Sequence, residues 1–176
     1  MTDVYLEAIR AFNRKRVAHL VIGVSGINYY AADPSQLVMT ADFDVLLKPE
    51  AANVRKAVAV MRRLDFTVSA GGKAVKDLDE KGARALIAEG RTLACANFYG
   101  NLIELLLAVS GFDYEELDRD AIVFRAGPTR IRVGRLEKLL RMKEIAARPK
   151  DILFLEKYRL LLEGCGGEDP PVPRKR

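Results

Sequence analysis

Apolar positions recur along this chain with two periods, and the switches between them divide it into elements. Val4, Leu6, Ile9, Ala11 and Phe12 lie near helical spacing and run into Arg14-Lys15-Arg16, a basic cluster suited to a helix C-terminus, so an amphipathic helix is expected first. His19 to Gly23 reads as a short buried strand, Val24 to Tyr30 as a tight turn feeding a helix, and Asp33-Pro34-Ser35 as a loop. Asp42 to Leu47 alternates as a strand. Lys48-Pro49-Glu50 then opens a helix to about Leu64, with Val54, Ala57, Val58 and Met61 as its apolar stripe.

The second half repeats the mixture. Phe66 to Ser69 is predicted as a strand ending at Gly71-Gly72, and Glu80 to Ala88 as a short helix. Arg91 to Asn97 and Leu102 to Ala108 read as two strands turning at Gly100-Asn101, and Ile122 to Arg125 and Arg130 to Val133 as another pair around Gly127-Pro128. From Arg135 the pattern is helical, with Leu136, Leu139 and Leu140 on one stripe and a fresh helix with Pro149 at its first position, stopped by Gly164, Gly166 and Gly167. The expected organisation is a core over 1–134, a helical segment over 135–164 packed on it, and a disordered tail over 165–176.

Composition narrows what such a chain can do. With 176 residues, 49% hydrophobic and 30% charged, it has the size of one domain and should bury roughly 70% of its unfolded surface. Its apolar runs, such as Leu105 to Val109 and Ile152 to Leu155, fall far short of the roughly 20 residues of a membrane span. The N-terminus lacks the basic-then-apolar order of a signal peptide, so a cytoplasmic location and no membrane partner are expected. Cys95 and Cys165 fit neither a disulfide framework nor a zinc pattern, and a histidine-based site would rest on His19 alone. The net charge of +5 is compatible with a nucleotide or RNA partner and equally with plain solubility.

Chemistry poor in sulfur and imidazole must draw on carboxylates. On the strand from Asp42 to Leu47, Asp42 and Asp44 project from one face while Phe43, Val45 and Leu47 enter the core. Two such carboxylates raise each other's pKa unless a cation neutralises them, as Mg²⁺ would, or they face solvent as surface charges. Glu104 sits inside Leu102-Ile103-Glu104-Leu105-Leu106-Leu107, where a charge is costly unless paired or metal-bound. Should its strand neighbour the first, three carboxylates would form a site for one or two Mg²⁺ ions; otherwise Glu104 lies at a sheet edge or pairs with a lysine.

Three further features bear on a phosphate-bearing ligand. Gly23-Val24-Ser25-Gly26, between a strand and a helix, can present backbone N–H groups and a hydroxyl to phosphate, or serve backbone geometry alone. Lys143 falls on the stripe of Leu136, Leu139 and Leu140, which directs its ammonium to the buried or cleft side, either to pair with Glu104 or Asp151 or to meet phosphate. Asp151, just inside the helix begun by Pro149, is favoured there by the helix dipole, while Arg148 and Lys150 serve either phosphate or acceptor binding or the surface. Gly71-Gly72-Lys73-Ala74 lacks the Walker pattern and reads as a turn.

In their order these residues resemble the nucleotidyltransferase superfamily with the polymerase-beta-like fold, in particular its small bacterial and archaeal members that include abortive-infection toxins. Val21-Ile22-Gly23-Val24-Ser25-Gly26, Asp42-Phe43-Asp44 and Leu102-Ile103-Glu104-Leu105 stand where that family has a glycine turn, an Asp-x-Asp strand and a third acid. Leu136 to Lys143, followed by Arg148-Pro149-Lys150-Asp151, is similar to the family's helical signature, and the likeness covers roughly Ala18 to Leu162. Val24 stands at the second position of the family's Gly-Gly or Gly-Ser pair, the stretch from Gly23 to Asp42 is longer than usual, and the third acid is Glu where Asp is commoner.

The resemblance implies an α/β (α+β) nucleotidyltransferase fold, a small mixed sheet flanked by helices with a C-terminal helical pair closing a cleft. It implies Mg²⁺- or Mn²⁺-dependent transfer of a nucleoside monophosphate from an NTP, with Asp42, Asp44 and Glu104 as metal ligands and catalytic acids. Gly23, Ser25, Lys143 and Asp151 would bind the nucleotide. A tRNA, protein or small-molecule acceptor and a cognate antitoxin are the partners it suggests. The alternative is a degenerate member that keeps the fold as a nucleotide-, RNA- or protein-binding module.

Overall fold

Two adjacent parallel strands carry the residues that matter most, and the rest of the fold can be built outward from them. The computed structural model describes residues 3–164; the expected tail at 165–176 lies outside the described residues. Strands β2 (Asp42–Leu47) and β6 (Leu102–Leu106) run parallel, with Asp42 beside Leu102 and Asp44 beside Glu104. On one side β2 pairs antiparallel with β1 (His19–Val21), which lies parallel to β8 (Thr129–Val133), itself the antiparallel partner of β7 (Ile122–Ala126). On the other side β6 pairs antiparallel with β5 (Leu93–Ala96), then β3 (Thr67–Ala70) and β4 (Lys73–Ala74). The eight-stranded mixed sheet has the order β4-β3-β5-β6-β2-β1-β8-β7.

Seven α-helices, α1 (Val4–Arg14), α2 (Gly23–Asn28), α3 (Ala51–Arg63), α4 (Glu80–Ala88), α5 (Tyr114–Asp118), α6 (Leu136–Ala146) and α7 (Pro149–Gly164), and a 3-10 turn at Pro34–Gln36 accompany the sheet among the described residues. The apolar stripes foresee their packing. Ile9, Ala11 and Phe12 of α1 and Val54, Ala57, Val58 and Met61 of α3 are all buried. Helix α3 packs against both α1 and α4, and Tyr5 of α1 stacks on the Phe43 ring at 4.9 Å. Helix α6 packs on α2 and α7 on α6. None of the described helices is long and apolar enough to cross a membrane.

Several local departures from the sequence pattern have identifiable causes. The turn expected over Val24 to Tyr30 is itself helical from Gly23, because Gly23 adopts φ +64° and reverses the chain in a single residue. The Gly71-Gly72 turn returns the chain as the two-residue β4, a strand too short to show periodicity. Helix α5 was not foreseen; a capping box builds it, with Asp113 accepting from the Glu116 N–H while Glu116 accepts from the Asp113 N–H. The long C-terminal helical pattern breaks at Ala147, in left-handed conformation at φ 45°, before Pro149 restarts it. His19 opens β1 deep in the core, its Nδ1–H donating to the Val17 carbonyl at 2.8 Å, and burial lowers its pKa from the ordinary value.

Candidate active site

The register of β2 and β6 decides the geometry. Side chains two apart on a strand share a face, so Asp42 and Asp44 point the same way, and the parallel pairing sets Glu104 beside Asp44. One carboxylate oxygen from each lies within 4.8 Å of the others, which makes the trio a candidate metal site among the described residues. All three are partly buried. Burial, then the Asp42 and Glu104 charges, push the Asp44 carboxyl up to about 7, and Lys143 and Lys150 only partly counter this. The trio therefore holds more negative charge than its protein surroundings neutralise. Hard oxygen donors, this close and undercompensated, fit Mg²⁺ or Mn²⁺.

The chain around the trio is shaped to keep it there. Gly23 stands so close to Asp44 that a Cβ on it would lie 1.8 Å from Asp44 Oδ2, so the carboxylate occupies the space that any side chain would take. The Ile22 N–H donates to the Asp44 carbonyl at 3.0 Å, fastening the end of β1 to β2. Ser25 is buried: its hydroxyl donates to the Ile22 carbonyl at 3.1 Å and accepts from the Asp44 N–H at 3.2 Å. The hydroxyl expected to face phosphate is thus spent on holding Asp44, because from within α2 it turns back to the Ile22 carbonyl. Thr40, which the pattern did not single out, donates from its hydroxyl to Asp42 Oδ1.

A cleft of about 610 Å³ opens over the trio, lined also by Gly23, Lys143, Arg148, Lys150 and Asp151. Two of these cations converge on one carboxylate. Asp151, 1% exposed, accepts from Arg148 Nε at 2.5 Å and from Lys143 Nζ at 3.3 Å. Burial alone would raise its pKa, but the Arg148 hydrogen bond and the Lys143 charge outweigh that and hold its carboxyl below the usual range. Of the partners open to Lys143 in the sequence, Asp151 is the one it reaches, and Phe154 lies under its ammonium at 4.6 Å from the ring centroid. Phe154 carries a signal in hindsight, since it stands one turn after Asp151 on α7.

Neither a family model nor a curated protein sequence matches this chain. Solved structures do, among them the crystal structure of an antigenic nucleotidyltransferase-like protein from Paracoccidioides brasiliensis, with a TM-score of 0.50 and 16% identity over 90% of this chain and 74% of that one. At that identity the likeness concerns the fold: this chain has the mixed α/β architecture of a nucleotidyltransferase-like protein.

Proposed function

We propose that this chain is a Mg²⁺-dependent nucleotidyltransferase, transferring a nucleoside monophosphate from an NTP to a hydroxyl of an RNA, protein or small-molecule acceptor. The observation that carries the reading is the convergence of Asp42, Asp44 and Glu104 in a cation-lined cleft, on a fold like that of a nucleotidyltransferase-like protein. Asp42 and Asp44 would be the principal ligands of Mg²⁺, or Mn²⁺ in its place, with Glu104 contributing; the ion, when bound, supplies charge neutralisation at the phosphates. Gly23 leaves room for the Asp44 carboxylate itself, which a side chain there would displace. Lys143, Arg148 and Lys150 offer positive charge to the triphosphate, and Asp151 orients the first two. Ser25 acts through Asp44, whose backbone it fixes.

In the transfer, the acceptor hydroxyl oxygen forms a bond to the α-phosphorus as the bond from that phosphorus to the bridging oxygen breaks. Pyrophosphate leaves with that oxygen, and the hydroxyl proton passes to the Glu104 carboxylate. Incubation with labelled NTPs, Mg²⁺ and candidate RNAs or proteins is expected to label an acceptor with wild type and not with Asp44→Ala. Failure of Mg²⁺ and NTPs to shift the wild-type melting temperature would overturn the reading.

A toxin of a two-gene pair, with an antitoxin as partner, is the biological setting that the sequence resemblance suggests. It predicts growth arrest on expression, relieved by Asp44→Ala. A degenerate binding module is the second reading, favoured by the occupied Ser25 hydroxyl and by Val24. It predicts tight RNA or partner binding with no response to Mg²⁺ and ATP.

A further inference from the structure

The segments leading into β2 and β6 share an unusual property. Among the described residues, the three most exposed large hydrophobic side chains are Met39, Phe98 and Tyr99, at 98%, 96% and 85%. They stand on the two segments that lead into β2 and β6. Asp42 and Leu102 are paired across β2 and β6, and Met39 and Tyr99 each stand three residues before them, so both lead into the strand ends that carry the acidic trio. Met39 also lines the cleft.

The rings are exposed on a turn that the chain takes trouble to fix. Asn97 Oδ1 accepts from the Tyr99 N–H and the Asn101 N–H, both at 3.0 Å, and from Asn101 Nδ2 at 3.2 Å. The Gly100 N–H donates to the Asn97 carbonyl, and Gly100 takes φ +81°, a conformation that disfavours other residues. The segment carrying Met39 is clamped likewise, since the Asn28 side chain donates to the Val38 carbonyl at 2.8 Å and accepts from the Val38 N–H at 3.0 Å. Holding large apolar groups out in water gains nothing for folding, whereas contact with a ligand would bury them.

The chemistry of the occupant follows from the rings. Phe98 and Tyr99 meet edge to face, with centroids 5.7 Å apart and planes at 83°, so the pair takes up one face of one ring and leaves the other faces open. Protruding rings on a turn offer little of the contiguous apolar area that a folded protein partner requires, but each can receive a planar base. A further pocket of about 270 Å³, walled by Tyr5, Tyr29 and Phe43, shares Thr40 and Asp42 with the cleft. Aromatic side chains thus flank the acidic trio beyond the cleft itself. The cations of the cleft and the net charge of +5 suit a polyanion.

We propose that Phe98, Tyr99 and Met39 form a stacking platform for unpaired bases of a nucleic-acid strand, holding the strand with one end at the acidic trio. This rests on the reading of the trio as the transfer site, and it makes the acceptor a macromolecule gripped outside the cleft.

The test measures binding separately from transfer. Fluorescein-labelled 12-mers of oligo(rU), oligo(dT) and a duplex RNA are titrated with wild type and with Phe98→Ser, Tyr99→Ser and Met39→Ser by anisotropy at fixed salt. The melting temperature and the Mg²⁺-ATP thermal shift are recorded for each. The platform predicts preference for single strands and about tenfold weaker binding per lost ring, about 1.4 kcal/mol, with both thermal measurements unchanged in Phe98→Ser and Tyr99→Ser, whose residues lie outside the cleft lining. Comparison of oligo(rU) with oligo(dT) identifies the type of strand. Equal affinity of wild type and ring variants, equal affinity for duplex, or a wild-type dimer dissolved by Phe98→Ser would each overturn it. Failure of the transfer reading has a different signature, absence of the Mg²⁺-ATP shift in wild type, which leaves the anisotropy result standing.

Discussion

At the scale of single residues, Asp44 is where geometry and charge meet. Its carboxyl is pushed up to about 7 by burial and by the Asp42 and Glu104 charges, so without a divalent ion the folded protein holds a proton there that the unfolded chain releases near the usual aspartate value. Native protein binding more protons than unfolded protein means that stability falls as pH rises from about 4 towards 7. Asp44→Asn is therefore expected to raise the melting temperature at pH 8 in EDTA and to abolish the shift that Mg²⁺ produces. In wild type, calorimetric Mg²⁺ affinity should increase from pH 6 to pH 8 as the proton is lost. Gly23 supplies a steric counterpart. Gly23→Ala should cost about 1–2 kcal/mol for the left-handed backbone alone, and more for the collision with Asp44 Oδ2, read as a lower urea midpoint together with weaker Mg²⁺ binding.

At the scale of elements, α6 and α7 are joined through one buried carboxylate. Asp151 of α7 receives both Lys143 of α6 and Arg148, the residue just before α7. Neutralising it leaves Lys143, 13% exposed, without its partner, whereas Arg148 remains in water. Asp151→Asn is expected to cost about 3 kcal/mol, the lower end for a buried pair that loses one member, measured by urea denaturation. Lys143→Met should cost less, because Arg148 still serves Asp151 and a methionine can lie along Phe154. Asp151 thus has a structural role whatever it contributes to nucleotide binding. The stripe of Leu136 and Leu139 told where Lys143 would point, but the choice among its partners came from the bend at Ala147, which no periodicity records.

At the scale of the whole molecule, the sole histidine reports on the core. His19 is buried with its pKa lowered, mainly by desolvation, so the native state resists a proton that the unfolded chain accepts. Its contribution to stability is full above about pH 6.5 and is lost as pH falls below that value. The melting temperature of wild type should drop more steeply between pH 7 and pH 5 than that of His19→Gln. By itself the sequence determined the longer strands and helices, since alternation and helical stripes are local consequences of where side chains point. It also determined that Asp42 and Asp44 share a face, because a strand repeats every two residues. It could not determine that Glu104 lies beside Asp44, that Gly23 yields its side-chain space to that carboxylate, or that Ser25 turns to the backbone. Those are contacts between segments apart in the chain, fixed by strand order and register. The short elements β4 and α5 escaped for a related reason: they are held by a turn and a capping box rather than by a repeat. The residue types of the candidate site were legible in the sequence, and their convergence was decided by the parallel pairing of two strands that the sequence places some sixty residues apart.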